Sequence, residues 1–379
     1  MNAYSNVYIM DEYRIAVLPG DGIGPEVTDA CTSVLARMET LIDGFRLTMV
    51  RYPAGAKHYA DSGVSLPAST LHATIASDAT LLAAMGLPSV RYPDGREIAP
   101  QVELREQLEL YAGLRPIRSV RGVPGPLSDT RAEKLDLLLV RESTEGLFAA
   151  RDRTEFSDDR STATDRLVIT RRGSERVIRA AFEQARQRRN NGGPGRVTCV
   201  DKANVLGSFA FFREIFHEIA VDYPDIDSDC CYVDAMALNL VRQPWEYDVI
   251  VTENMFGDIL SDLGAALIGG MGMAPSADIG DRAAVFQPCH GTAPDIAGTG
   301  LANPTAMILS AAMMLAWLGD RHGNGSTALG ARVIEAAVEM AFGSGALRST
   351  EVGGTDGIDN ITKRILGSLE PALEREAAR

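Results

Sequence analysis

Short apolar segments alternate with amphipathic helical segments along much of this 379-residue chain. The first apolar segment, 14–18, is followed by a glycine-rich turn and then by apolar residues at helical spacing from Val27 to Met38. Similar patterns predict strands at 135–140, 196–200, 247–252 and 283–286, and helices at 174–188, 208–220 and 258–267. Such alternation is typical of α/β proteins, so we expect a mostly parallel sheet covered by helices.

Length and charge restrict the organisation and the partners of the chain. A chain of 379 residues is too long for one core of ordinary size, so two lobes are expected. Hydrophobic residues make up 45% and charged residues 23%, as in folded globular proteins. The formal net charge of −14 argues against nucleic acid or an anionic membrane as the main partner, because both would repel an acidic surface. An anionic substrate would need a local basic patch.

Cysteine usage and segment hydropathy predict a cytoplasmic protein. The five cysteines lack C-x-x-C spacing, and an odd number suits neither a disulfide framework nor a zinc site, so reduced thiols are expected. The first 14 residues have no basic residue before Arg14 and no long apolar run, which predicts neither a secretory signal nor a mitochondrial presequence. The longest apolar helix, 308–318, falls short of the roughly 20 residues that a membrane span needs.

Two aspartates follow the predicted strand at 247–252. Asp258 and Asp262 lie four residues apart in a helical pattern, so their carboxylates share one face. Two hard oxygen ligands at the mouth of a sheet, where α/β proteins usually bind ligands, suit Mg²⁺ or Mn²⁺. The alternative is that Asp258 caps the helix and Asp262 is solvated. Spacing alone leaves both interpretations open.

Lys202 and Asp234 are further candidates, each with a plainer alternative. Lys202 follows the predicted strand at 196–200 among small and apolar residues, a setting that can lower a lysine pKa and make it a base. The alternative is a surface lysine paired with Asp201. Asp234 lies in a hydrophobic stretch where an unpaired carboxylate would be costly, which predicts a metal or another cation as its partner. The alternative is a helix N-cap.

Three arginines are predicted to form the basic patch. Arg105, Arg115 and Arg141 lie at the ends of predicted elements within one stretch of an otherwise acidic chain. Guanidinium groups match carboxylates in a two-pronged geometry, so three of them could hold a di- or tricarboxylate. For each arginine taken alone, the alternative is a surface ion pair, and the residue type by itself favours that alternative.

Two glycine-containing segments bear on nucleotide binding. GDGIG at 20–24 follows the first strand, but its G-x-G-x-G spacing is not the G-x-G-x-x-G fingerprint of Rossmann dinucleotide sites. HGTAPD at 290–295 offers small residues for close backbone approach and a carboxylate that could bond a ribose diol, as NAD sites require. The alternative for this second segment is a structural turn.

Four segments together resemble the β-decarboxylating dehydrogenases, the family of isopropylmalate, isocitrate, homoisocitrate and tartrate/malate dehydrogenases. The resemblance implies an α/β, isopropylmalate dehydrogenase-like two-lobed fold with a mostly parallel sheet, and not a Rossmann fold. It also implies a large, discontinuous NAD-binding lobe (1–110 and 269–379) and a small lobe (111–268) with the dimer interface and the metal aspartates. The four segments are VDKANVL at 200–206, FGDILSD at 256–262, HGTAPDIAG at 290–298 and ANPTAMILSAAMML at 302–315.

The resemblance further implies an active site between the lobes that is completed by the partner of a homodimer. Lys202 would accept the hydroxyl proton of the substrate, and together with Asp234 it would serve the neighbouring subunit. Asp295 would disfavour NADP, because its carboxylate repels a 2′-phosphate. The implied sets are Lys202 and Asp234 for catalysis; Asp234, Asp258 and Asp262 for Mg²⁺ or Mn²⁺; Arg105, Arg115 and Arg141 for substrate carboxylates; and Asn204, His290, Gly291, Thr292, Ala293, Asp295 and Asn303 for NAD.

Several positions depart from the family pattern. Phe148 stands where the family carries the tyrosine that protonates the enolate, and phenylalanine has no proton to donate. Ala235 replaces an asparagine and Gln287 a glutamate. The segment 98–102, IAPQV, has neither the apolar pair expected for an isopropyl group nor the serine and asparagine typical for isocitrate.

The predicted function is metal-dependent, NAD-linked oxidation, with decarboxylation, of a small 2-hydroxy dicarboxylic acid of the 3-isopropylmalate, malate or tartrate kind. Homoisocitrate or isocitrate is the alternative substrate. An alternative of another class is a non-catalytic regulatory subunit, which Phe148 favours. The presence of Lys202 and of all three metal aspartates favours an active enzyme.

Overall fold

The computed structural model describes residues 10–378 and divides into two compact units. Unit 1 comprises the residues up to 101 and those from 285 onward, and unit 2 comprises 102–284. From the sequence we predicted lobe boundaries at 110/111 and 268/269. The assignment of NAD binding to the discontinuous lobe, and of the dimer interface to the continuous lobe, stays a prediction. The first 14 residues, in which the sequence predicts no targeting signal, lie mostly outside the described residues.

Strands and helices alternate along the described chain. The strands are β1 (Asp11–Leu18), β2 (Phe45–Arg51), β3 (Ala79–Leu82), β4 (Ala112–Arg118), β5 (Asp136–Glu142), β6 (Glu155–Phe156), β7 (Ala163–Thr164), β8 (Arg196–Asp201), β9 (Asp227–Tyr232), β10 (Val249–Thr252), β11 (Pro275–Ile279) and β12 (Ala284–Pro288). The helices are α1 (Gly24–Leu41), α2 (Ala56–Ser62), α3 (Ala68–Ala76), α4 (Pro100–Gln107), α5 (Arg171–Asn190), α6 (Gly207–Ala220), α7 (Val233–Arg242), α8 (Asn254–Leu267), α9 (Thr305–His322), α10 (Gly325–Phe342) and α11 (Ile358–Ala377).

Unit 1 is built on parallel strands in the order β2-β1-β3-β12. The second half of β1, from Ile15 to Leu18, is fully buried, as is the face of α1 that carries Val27, Val34 and Met38. Burial of these apolar positions explains why a strand, a glycine turn and a helix form in succession here. The strand–turn–helix prediction for 14–38 is therefore confirmed.

Unit 2 is built on strands in the order β11-β4-β5-β10-β8-β9. The four strands from β5 to β9 in this order are parallel, whereas β4 runs antiparallel to both β5 and β11. A core of apolar residues, which includes Val177, Phe182, Phe216 and Val251, packs α5 and α6 against these strands. The parallel arrangement of β5, β10 and β8 places their carboxyl ends, and the residues that follow, at one edge of the sheet.

The prediction of an α/β fold with a mostly parallel sheet is confirmed. The strands and helices listed from the sequence are present within a few residues of the predicted bounds, but the antiparallel strands β4 and β11 were not foreseen. All five cysteines are free. No helix in the part of the chain that the structure describes is long and apolar enough to cross a membrane.

Candidate active site

The three predicted arginines come together in unit 2. In the antiparallel pairing of β4 with β5, Arg115 lies opposite Leu139, so these two side chains point to the same face of the sheet. Arg141 follows Leu139 by two positions on β5, and side chains two positions apart on a strand share a face. Arg115 and Arg141 therefore project from the same face. Burial and the positive charge of Arg105, on α4, lower the pKa of Arg141 to about 10. Arg115 lies in the middle of a strand and not at the end of an element as expected, but the predicted basic patch is present.

A buried aspartate that the sequence reasoning missed lies among these arginines. Asp278, on β11, has a side chain that is only 1% exposed. Its Oδ2 accepts from Arg105 Nε at 2.9 Å and its Oδ1 from Arg115 Nη2 at 3.0 Å. Burial alone would raise the pKa of Asp278, but the charges of Arg105 and Arg115 bring it down to about 2. The available signal was a single charged residue in the strand PSADI.

Arg141 connects this arginine cluster to α8. Its Nε and Nη2 donate to Asn254 Oδ1 at 2.9 and 2.7 Å, and its Nη1 donates to the carboxylate of Asp258. The helix can approach the arginine closely because Gly257 has no side chain, since a Cβ there would lie 2.6 Å from Arg141 Cγ. The glycine of the FGDILSD segment therefore serves to bring Asp258 onto the arginine.

Two of the three candidate metal aspartates, Asp258 and Asp262, lie on α8, as their spacing predicted. Glu253 caps this helix by accepting from Met255 N at 3.1 Å and from Phe256 N at 2.7 Å. The alternative in which Asp258 is the cap is therefore wrong. Asp262 is exposed, as the alternative expected, and desolvation together with the negative charge of Asp258 raises the pKa of its carboxyl.

Lys202 and Asp234 form an ion pair with each other. Lys202 Nζ donates to Asp234 Oδ1, and this hydrogen bond lowers the pKa of the Asp234 carboxyl. The expected hydrophobic surroundings of Asp234 are wrong, because its side chain is 68% exposed on α7, which buries its opposite face instead. The N-cap alternative is also wrong, since Tyr232 holds that position.

The alternative pairing of Lys202 with Asp201 is wrong as well. Asp201 is fully buried and accepts from Arg213 Nε and Nη2 at 2.7 and 2.8 Å. Its Oδ1 also accepts from Ala203 N at 2.8 Å, so this hydrogen bond spans Lys202. Asp201 therefore stabilises the turn that contains Lys202, while the lysine side chain pairs with Asp234.

The three aspartates predicted to bind metal are not gathered in one chain. Among residues 10–378, no group of three or more histidine, cysteine, aspartate or glutamate side chains is arranged to hold a metal ion. Asp258 and Asp262 share a face of α8, whereas Asp234 pairs with Lys202.

Phe148, which the resemblance places at the position of a tyrosine, lies beside Arg141 of the arginine cluster. The guanidinium carbon of Arg141 is 5.2 Å from the centre of the Phe148 ring, within the range of a cation–π contact. The ring belongs to a short 3₁₀ turn, Phe148–Ala150, that follows β5. The ring therefore contacts the guanidinium but offers no donor.

The glycine turn after β1 packs against the 290–295 segment in unit 1. Ile23 N donates to Thr292 O at 2.9 Å, and a Cβ at Gly22, whose φ is 58°, would lie 2.0 Å from that oxygen. Asp21 is buried and accepts from the backbone nitrogens of Ala56 and Gly86 at 2.6 and 2.8 Å. These contacts give the GDGIG segment a structural role, in keeping with its departure from the Rossmann fingerprint.

The residues predicted to bind NAD differ in how far their polar groups are already engaged. His290 Nε2 is buried and has no hydrogen-bond partner among the described residues, and burial lowers the pKa of this imidazole. Asn303 accepts from Thr305 Oγ1 at 2.7 Å and donates to Glu351 at 3.1 Å, so it also braces its own unit. Gly291 and Asp295 of unit 1 and Asn204 of unit 2 are exposed, Thr292 is buried, and Ala293 has a left-handed φ of 37°.

Comparison with known families decides the class of the protein. A family described as isocitrate/isopropylmalate dehydrogenase matches residues 14–365. The chain belongs to this family. As a member of the isocitrate/isopropylmalate dehydrogenase family, it is an oxidoreductase, a decarboxylating dehydrogenase that acts on a CH–OH group. The family recognised from the four sequence segments is thus confirmed.

Curated relatives share similar identity with the chain but carry different names. The 3-isopropylmalate/3-methylmalate dehydrogenase of Methanocaldococcus jannaschii is 39% identical over 93% of this chain and 99% of its own length. The homoisocitrate dehydrogenase of the same organism is 40% identical over 82% of this chain and 86% of its own length. Overall identity therefore places the chain in the family without selecting a substrate.

Solved structures show the same fold. The isocitrate dehydrogenase from Methylococcus capsulatus has a TM-score of 0.83 and 38% identity, over 94% of this chain and 99% of that one. A β-decarboxylating dehydrogenase from Thermococcus kodakarensis has a TM-score of 0.78 and 36% identity, over 97% and 99%. The predicted isopropylmalate dehydrogenase-like fold class is confirmed by these neighbours.

Proposed function

We propose that the protein oxidises and decarboxylates a small 2-hydroxy dicarboxylic acid of the 3-isopropylmalate, malate or tartrate kind, using NAD and Mg²⁺ or Mn²⁺. The observation that carries this proposal is the contact of Arg141 with Asp258. It joins a cluster of carboxylate-binding arginines directly to a pair of hard oxygen ligands, the combination that a metal-bound hydroxy diacid requires. The cysteine pattern supports a cytoplasmic location for this activity.

The donor chemistry on α8 fits a divalent ion. Asp258 and Asp262 lie one turn apart, and about half of the Asp258 side chain is exposed and open to an added ligand. Carboxylate pairs of this kind are common ligands of Mg²⁺ and Mn²⁺, which keep further positions for water or substrate. When bound there, the ion would polarise the carbonyl of the oxidised substrate and stabilise the enolate left by loss of CO₂.

The residues of the chain itself would bind the substrate and move its proton. The arginine cluster would hold the carboxylates and orient C2, while Lys202 would accept the hydroxyl proton. Phe148 has no donor, so the enolate would take its proton from water or from another tyrosine. The exposed Gly291 and Asp295 and the unpartnered nitrogen of His290 suit NAD, which would accept the hydride when bound. The carboxylate of Asp295 is compatible with NAD because NAD has no 2′-phosphate.

We further propose a homodimer in which Lys202 and Asp234 complete the site of the partner. Large apolar side chains are exposed on the helices that carry the aspartates: Leu238 is 54% exposed on α7 and Ile259 is 60% exposed on α8. The two helices pack against each other within unit 2, and we propose that these side chains contribute to one apolar surface. Covering that surface would bury apolar area close to Asp234 and Asp258.

The first test is NADH formation by the purified protein with Mn²⁺ and a panel of malate, tartrate, 3-isopropylmalate, isocitrate and homoisocitrate. We expect reduction of NAD and not of NADP, with a dicarboxylate as the best substrate. A preference for isocitrate or homoisocitrate would replace the substrate in this proposal by its alternative. Silence across the whole panel would contradict the proposal.

Metal binding has a test that does not depend on activity. Titration of Mn²⁺, followed by its electron paramagnetic resonance signal, should show weaker binding in Asp262→Asn than in the unchanged protein. Asp359→Asn, which alters an exposed carboxylate on α11, is the matched control and should bind Mn²⁺ like the unchanged protein. If Asp262→Asn bound Mn²⁺ as tightly as the unchanged protein, the proposed metal site on α8 would be wrong.

The shared site is tested by mixing two inactive variants, Lys202→Ala and Asp258→Asn. If Lys202 serves the partner, a mixed dimer contains one site with both residues intact, and random mixing should restore about a quarter of the full activity. If Lys202 and Asp258 of the same chain work together, every site carries a defect and the mixture stays inactive.

A further inference from the structure

Asp278 changes the charge of the arginine cluster. Arg105, Arg115 and Arg141 supply three positive charges, and Asp278 removes one by pairing with Arg105 and Arg115. Three positive charges and one negative charge leave two net positive charges. The two negative charges of Asp258 and Asp262 on α8 are not included in this sum, because they balance the two positive charges of the divalent ion that these aspartates are proposed to bind.

The pairing of Asp278 is built into unit 2. The side chains of Asp278 and Arg115 are 1% and 5% exposed, and each oxygen of the carboxylate accepts from a different arginine. Arg115 Nη1 is also engaged, because it donates to Ala277 O at 3.1 Å and to Leu114 O at 3.0 Å. A ligand therefore meets arginines that are already held in place and partly neutralised.

We propose that Asp278 determines specificity by restricting the arginine cluster to substrates with two carboxylates. This inference rests on the proposed function, since it assumes that the cluster binds the substrate. Two net positive charges balance a dianion, whereas a trianion would leave one negative charge in excess beside a buried carboxylate. Water screens such charges poorly at so buried a position, so the third carboxylate is rejected.

The charge of Asp278 is present under all working conditions of the enzyme. The neighbouring arginines overcome the effect of burial and hold the pKa of this carboxyl at about 2. The selection against a third carboxylate should therefore not change between pH 5 and 9, the range over which such a dehydrogenase would be assayed.

The test is the isosteric variant Asp278→Asn, which removes the charge and keeps the shape. The ratio of kcat/KM for isocitrate or homoisocitrate to kcat/KM for the best dicarboxylate should rise by about tenfold or more, as expected when one buried like-charge contact is removed. A purely structural role would lower both values together, and an unchanged ratio would overturn the inference.

A matched control is available in the same unit. Asp248 is also 1% exposed and pairs with an arginine, Arg188, but it does not contact the arginine cluster. Asp248→Asn should weaken folding without altering the substrate ratio. If Asp248→Asn raised the ratio as much as Asp278→Asn, the effect would be a general consequence of losing a buried ion pair, and the inference would fail.

Inhibitors provide a measurement on the unchanged protein if Asp278→Asn does not fold. Succinate and tricarballylate differ by one carboxymethyl group, and the dianion should bind at least about tenfold more tightly as a competitive inhibitor. Equal or tighter binding of the trianion would overturn the inference. An unchanged protein that oxidises no member of the panel refutes the proposed function, whereas an active protein without charge discrimination refutes only the role of Asp278.

Discussion

The arginine cluster and the Lys202–Asp234 pair lie in the same unit but satisfy their charges in opposite ways. Arg141 and Asp278 are 5% and 1% exposed, and their partners are supplied by strands and helices packed around them. Lys202 and Asp234 are 28% and 68% exposed, and their side chains form an ion pair with each other. The cluster is thus assembled within a single chain, whereas the exposed pair is accessible to water.

The difference has an energetic cause. Removing one partner from a buried ion pair leaves an uncompensated charge in a medium that solvates it poorly. Exposed pairs are solvated on both sides and contribute little to folding. Substitutions in the arginine cluster should therefore lower the stability of the protein, whereas substitutions in the Lys202–Asp234 pair should affect turnover and leave stability unchanged. The following predictions test this difference.

The largest expected effect is on turnover in Lys202→Ala. Loss of the base should reduce kcat by about 10²- to 10⁴-fold, as is typical for general base residues, while NAD binding and the urea midpoint of unfolding stay unchanged. Steady-state kinetics, NAD titration and urea denaturation measure the three quantities. Lys134→Ala, at another exposed lysine, is the control and should retain full turnover. Full turnover by Lys202→Ala would remove the lysine from the mechanism.

Arg141→Gln should affect both stability and substrate binding. The change leaves the buried side-chain oxygen of Asn254 without its guanidinium donor, and we expect the free energy of unfolding to fall by about 2 kcal/mol. KM for the dicarboxylate should rise as well. Urea denaturation of this variant beside Lys202→Ala provides the contrast. Equal stability of the two variants would break the distinction between a buried cluster and an exposed pair.

The pH dependence of stability should reveal the buried carboxylate of Asp278. Its pKa of about 2 in the folded protein lies below the usual value for an unfolded chain, so the unfolded state binds more protons. The stabilisation is therefore fully present above about pH 4 and is lost as the pH falls towards 2, with a magnitude of about 2 kcal/mol. The free energy of unfolding of Asp278→Asn should fall less over this interval. Parallel curves for the two proteins would contradict the pKa.

The smallest effect is expected for Phe148→Tyr. The new hydroxyl would lie near the Arg141 guanidinium, where it could donate a proton to the enolate, so kcat for oxidative decarboxylation should rise several-fold. Steady-state NADH formation measures this change. An unchanged kcat would mean that water or another tyrosine already protonates the enolate efficiently.

Much of the fold could be predicted because it depends on local pattern. The apolar spacing from Val27 to Met38 determines a buried helical face, and the spacing of Asp258 and Asp262 places both on one side of α8. The four segments at 200–206, 256–262, 290–298 and 302–315 together were sufficient to recognise the family. Periodicity and short motifs express such features because each depends on residues within a few turns or strand positions.

Only the tertiary structure decided how the charges are matched. Asp278 is separated by 173 residues from Arg105 and by 163 from Arg115, and the antiparallel strands that unite them were not evident in the sequence. The solvation of Asp234 and its pairing with Lys202 likewise depend on how α7 and β8 are placed. Local sequence determines which face of an element is apolar, but burial and ion pairing are properties of surfaces brought together from distant parts of the chain.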